Sequence, residues 1–119
     1  MTLRQVHDNF AWFVVIGNAI AGLWALGAHW LPDWRGRALW WWTALAQISI
    51  FVQGAVGVGI LVDEDIEPPE FHVFYGFVAM VTVGIIYSYR QQVAALHRYL
   101  LYGLGGLFLM GLAIRAMVV

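Results

Sequence analysis

Apolar residues in this chain fall into long blocks separated by short polar clusters. Four blocks stand out, at about 6–28, 38–62, 71–89 and 99–118. Each holds on the order of 20 apolar-dominated residues, enough at ~1.5 Å per residue to cross ~30 Å of hydrocarbon. The pattern predicts an all-α fold, a four-helix transmembrane bundle running up-down-up-down. Residues 1–119 would form a single integral membrane domain, multi-pass in the cell membrane. The first block lacks the basic leading region and cleavage site of a signal peptide and is longer than such a core, so it is expected to stay as a helix.

Polar residues inside the blocks mark the faces expected to meet protein. In the first, His7, Asn18 and His29 recur every eleven residues, a step that returns to within about 20° of one direction on an α-helix. Ala11, Gly22 and Ala25 share that stripe, and Asn18 is expected to hydrogen-bond a neighbouring helix. In the second block Ala46, Ser49, Gln53 and Gly57 lie together. The third places His72, Gly76, Ala79, Val83 and Tyr87 on one face. In the fourth, Gly103, Leu107 and Gly111 suggest a seam along which backbones approach closely.

The connections carry the remaining signals. Five of the seven tryptophans (Trp30, Trp34, Trp40, Trp41 and Trp42) cluster around the first turn and suit an interfacial aromatic belt. The turns after the first and third blocks hold Arg35, Arg37, Arg90 and Arg98, against only Arg4 and Arg115 at the other end. This asymmetry predicts a cytoplasmic first side, with both termini and the acidic stretch DEDIEPPE on the outer side. Pro68 and Pro69 interrupt that stretch, and Glu70 favours the first turn of a helix beginning there. The carboxylates are expected to form a solvated loop with Arg115 nearby.

Composition narrows the function classes. The chain is 62% hydrophobic and 11% charged, with a net charge of −1 and no cysteine. Disulfides, thiolate metal sites, thiol nucleophiles and thioether haem attachment are therefore excluded, and no basic face offers itself to nucleic acid. Phosphate-cradling glycine loops, G-x-S-x-G and H-E-x-x-H are absent, so no enzymatic motif is present. No acid or base falls near a predicted midplane, which speaks against ion transport.

Two histidines carry the remaining chemistry. His7 and His72 stand at the outer ends of helices predicted to sit diagonally, so both rings can turn toward the bundle axis. Their contexts, VHDNFAW and FHVFYGF, match in pattern, and each histidine has a small residue four positions later, Ala11 and Gly76. That clears a turn of helix surface beneath each ring, the space a planar macrocycle with two axial imidazoles needs. Arg115, at similar depth, suits a propionate. A divalent-metal site joining these histidines to Asp8, Asp63 or Glu70 is the other arrangement the residue types allow. His29 and His97 read as wet interfacial residues.

The stretch QGAVGVGILV followed by FHVFYGFVAM resembles one four-helix half of haem A synthase, over residues 45 to 85. That family repeats a four-helix bundle with two haem-ligating histidines per half. The resemblance implies that His7 and His72 are the ligands, with Gln53, Gly54 and Gly57 as the glutamine-glycine stretch between them. Gln5, Val6 and Asp8 surround His7 where the family's catalytic half has a glutamate before and an arginine after, and the family's external cysteine pair is absent. What the resemblance implies is therefore haem b binding without synthase activity. Two functions follow from the residues. One is a non-catalytic accessory or assembly component whose partners are the bilayer and other membrane subunits or a second copy. The other is a b-type haem-binding membrane protein, for electron transfer or haem handling, with cofactor-binding residues His7, His72, Gln53 and Arg115.

Overall fold

The computed structural model describes residues 1–119. It holds four long helices, α1 (Leu3–Trp30), α2 (Arg37–Glu64), α3 (Glu70–Tyr89) and α4 (His97–Val118), and one 3-10 turn at Pro32–Trp34. All four long helices are long and apolar enough to cross a membrane. Between residues 9 and 32, 38 and 62, 71 and 89, and 99 and 114 there is no charged side chain. The molecule is 49 Å long, which matches the ~40–45 Å of a bilayer with its headgroups.

Local chemistry sets where the helices start and stop. Thr2 caps α1 by a reciprocal pair of bonds: its hydroxyl accepts from the Gln5 amide at 3.2 Å, and its own N–H donates to Gln5 Oε1 at 3.0 Å. This satisfies two of the donors that the first turn leaves free. At the other end Arg35 turns back on the last carbonyls of α1, with Nε 2.7 Å from Ala28 O and Nη2 2.9 Å from His29 O. DEDIEPPE is shorter as a loop than its composition suggests. Asp63 and Glu64 complete α2, Asp65 closes it with a left-handed backbone (φ 50°), and Pro69 directly precedes α3.

Glycine decides which helices pack most closely. A Cβ on Gly22 would lie 2.7 Å from Leu107 N, one on Gly106 2.7 Å from Gly22 Cα, and one on Gly103 2.7 Å from Leu26 N. The α1 and α4 backbones thus touch over about a turn, which only residues without side chains permit. The seam expected through Gly103, Leu107 and Gly111 is corrected here. It runs through Gly103 and Gly106, while Gly111 faces outward with nothing within 4 Å. Against α2, the Asn18 amide donates to Ala46 O at 3.2 Å and to Val14 O at 2.8 Å, so the expected interhelical bond is present. Trp42 Nε1 adds a bond to Gly17 O at 3.0 Å. Helix α3 leans on α4, whose Gly105 makes room for Ile86, and barely meets α2.

Only 23 of 119 residues are buried, and Ile16, Leu23, Phe77, Leu104 and Phe108 point outward. An apolar exterior of this extent is a liability in water, whereas lipid tails solvate it as well as a protein core would. The aromatic belt divides. Trp30, Trp34 and Trp41 are exposed, but Trp40 packs on Tyr99 and Tyr102 with ring centroids 5.4 and 5.2 Å away, and Trp42 is engaged with α1.

Candidate functional site

The first turns of α1 and α3, the last three turns of α2 and the end of α4 meet at one end of the bundle, around a cleft of about 400 Å³. Every helix contributes: His7 and Ala11 from α1, Gln53 and Gly54 from α2, His72, Tyr75 and Gly76 from α3, Ala113 and Ala116 from α4. This volume is within the ~300–1,000 Å³ of small-molecule and cofactor sites, and the lining is mostly apolar with a few convergent polar groups, as such sites are.

The two histidine rings come together at the cleft. Their ring centroids are 5.9 Å apart with the planes inclined at 71°. Two trans imidazoles on one metal, each bonded at ~2 Å, place their ring centroids roughly 6 Å apart. Axial ligation fixes the nitrogen–metal direction and leaves the angle between ring planes free. The His72 ring is held by Ala116, whose carbonyl lies 2.7 Å from Nδ1, which orients Nε2 away from that carbonyl. A hydrogen bond of this kind on the far nitrogen is what fixes the tautomer and aim of a ligating imidazole.

His7 is held differently. Its ring rests on Gly57, where a Cβ would come within 3.2 Å of Cε1. The Gln53 amide donates to the His7 backbone carbonyl at 2.7 Å. Nδ1 of His7 and Oε1 of Gln53 are buried without a hydrogen-bond partner. Burying such groups unpaired costs about 1–3 kcal/mol each; neither atom is open to the cleft. Gly76 has nothing within 4 Å of where a Cβ would stand, and the Met80 methyl occupies the notch at Gly54.

Arg115 stands beside the cleft, 3.5 Å from the Tyr75 hydroxyl and with its guanidinium 5.7 Å from that ring's centre. It makes no ion pair with the acidic stretch. Arg4 takes that place, 3.2 Å from Glu64. The carboxylates do not join the histidines: no group of three or more His, Asp or Glu side chains converges anywhere in the chain. A bare divalent ion takes three or four protein ligands, so Asp8, Asp63 and Glu70 do not complete a site with His7 and His72. Two imidazoles without a third ligand suit a metal whose other positions a macrocycle already fills, so the donor set fits haem better than a bare ion.

A second histidine pair, which sequence spacing does not reveal, lies at the opposite end. His29 and His97 have ring centroids 6.4 Å apart, and His29 Nδ1 is 3.2 Å from Leu96 O. Neither His29 nor His97 lines the cleft at His7 and His72, and Arg35 and Arg98 stand in the same cluster of chain ends. No known family, curated protein or solved structure matches the chain.

Proposed function

We propose that this chain is a b-type haem-binding membrane protein with His7 and His72 as the two axial ligands. The observation that carries the reading is the approach of these imidazoles to 5.9 Å across a cleft that all four helices line. The likeness of QGAVGVGILV and FHVFYGFVAM to one half of haem A synthase adds support. In this reading the bundle runs up-down-up-down through the cell membrane, with the arginine-rich end cytoplasmic and both termini outside.

When bound, haem supplies a one-electron iron couple at the outer side of the membrane. The protein's residues do the rest. Ala116 sets the direction of the His72 ring, while Gly57 and Gln53 seat the turn that carries His7. Gly76 leaves one face of the cleft flat. Arg115 and Tyr75 offer a cationic and a hydroxyl donor to carboxylates at its edge, where charge-assisted bonds are strongest. The service performed is electron transfer or haem handling.

A second reading, an accessory or assembly subunit with membrane protein partners, has its own support. Gly84 and Gly111 face outward with no neighbour within 4 Å, as small residues do where another helix packs. Haemin titration into detergent-purified protein separates the two. Saturation at one haem per chain, with a Soret band that is shifted or lost in His7→Ala and in His72→Ala, is expected of the haem protein. A haemin spectrum left unchanged by the protein leaves only the accessory role.

A further inference from the structure

The bonds at the two ends of the bundle are distributed differently. The chain forms two helical hairpins, α1–α2 and α3–α4. At the end that carries His7 and His72, each hydrogen bond and ion pair between helices stays inside one hairpin. Gln53 to His7 O and Arg4 to Glu64 join α1 with α2. His72 to Ala116 O and Arg115 to Tyr75 join α3 with α4. Across the hairpins at this end stand only the edge contact of the two imidazoles and the Met80 methyl in the Gly54 notch, above a floor of apolar side chains such as Val14, Ala79 and Leu112.

The other half of the molecule is stitched across. Trp40 packs on Tyr99 and Tyr102, Arg35 lies 5.0 Å from the Tyr99 ring centre, His29 stacks on His97, and His29 bonds to Leu96 O. The backbone crossing of Gly22 with Gly103 and Gly106 lies between the stitched half and the cleft. That crossing brings backbone against backbone, so a change in the angle between α1 and α4 there displaces the tips and leaves the crossing point in place.

We infer that the two hairpins form a pair of tweezers, pivoting at the Gly22–Gly103–Gly106 crossing, whose outer tips part to admit a planar ligand from the bilayer and are drawn together when it is bound. This rests on the haem reading, because one axial imidazole belongs to each hairpin. Ligation by both is then the strongest link between the tips, and the free protein samples a range of openings that the complex does not. The bound state is selected by its differential affinity for the closed arrangement, as hinge closure in general requires.

Spin-label distances test this, and the lack of cysteine makes introduced thiols unique. One pair, Val62→Cys with Ile114→Cys, sits on α2 and α4 near the tips; another, Trp41→Cys with Leu104→Cys, joins the stitched half of α2 to the pivot on α4. All four positions are exposed. On adding haemin, the tip pair is expected to shorten and its distribution to narrow, with the other pair unchanged. Val58→Cys with Val118→Cys supplies a second tip pair should the first labels disturb binding. A Soret band with tip distances unchanged, or with both halves moving alike, overturns the hinge and leaves the haem site standing. Absence of a Soret band in the unlabelled protein overturns the haem reading and the hinge together.

Discussion

Single residues at the cleft act through space more than through charge. Gly57 is the plainest case, because the smallest side chain added there would reach 3.2 Å from the His7 ring. Gly57→Leu is expected to push His7 off the cleft axis and lower haemin affinity at least tenfold, which is about 1.4 kcal/mol. Gly111→Leu, on an outward face with no neighbour, is expected to leave affinity unchanged; haemin titrations of both variants provide the check. Asn18 shows the opposite economy, polar chemistry inside an apolar core. It is fully buried and bonds to Ala46 O on α2. Asn18→Ala is expected to lower stability by ~0.6–2 kcal/mol, the range of interhelical hydrogen bonds in membranes, read as a lower midpoint in denaturing-detergent titration. Asn18 was legible in the sequence because one amide among apolar residues has few other uses. The His29–His97 pairing was not, since it depends on how the turn before α4 folds back toward α1.

At the scale of elements, the lengths of the helices were readable and their faces were only partly so. Charges and prolines stop at the membrane boundary, which placed every predicted end within three residues of the observed one. Inside the boundary, lipid-facing and protein-facing positions are both apolar, so the 3.6-residue alternation of a soluble helix is largely erased. The glycines of α4 show the consequence. Spacing by four pointed to Gly103 and Gly111, whereas the contact with α1 uses Gly103 and Gly106, one turn apart, and turns Gly111 outward. Gly106→Val would place methyl groups against the α1 backbone and is expected to destabilise by about 1–3 kcal/mol, as overpacked cores do. Gly111→Val is expected to stay within ~0.5 kcal/mol of wild type, typical of positions without contacts. Parallel unfolding titrations of the two variants settle which glycine holds the helices together.

At the scale of the whole molecule, one end is rich in arginine and aromatic rings and the other in carboxylates. Arg35, Arg90 and Arg98 all donate to backbone carbonyls, so the charges from which the orientation is predicted also close the helix ends at that side. A cysteine at Glu67 is expected to react with a membrane-impermeant maleimide applied to intact cells. One at Gln91 is expected to react only after permeabilisation. The reverse labelling would invert the topology and put the cleft on the cytoplasmic side. The cleft itself follows from this architecture: two hairpins joined firmly at one half and loosely at the other leave space between their tips, and each tip carries one imidazole. The sequence exposed both histidines through their matching surroundings, but the cleft between them arises from the crossing of α1 and α4, which no local pattern encodes.

The ligation of one iron by both imidazoles is tested most directly by the spin state of the ferric haem complex in electron paramagnetic resonance. The wild type is expected to give a six-coordinate low-spin spectrum, and His7→Ala and His72→Ala each to give a high-spin one or lose the haem. A high-spin wild-type spectrum, or a low-spin spectrum that survives either substitution, would contradict it.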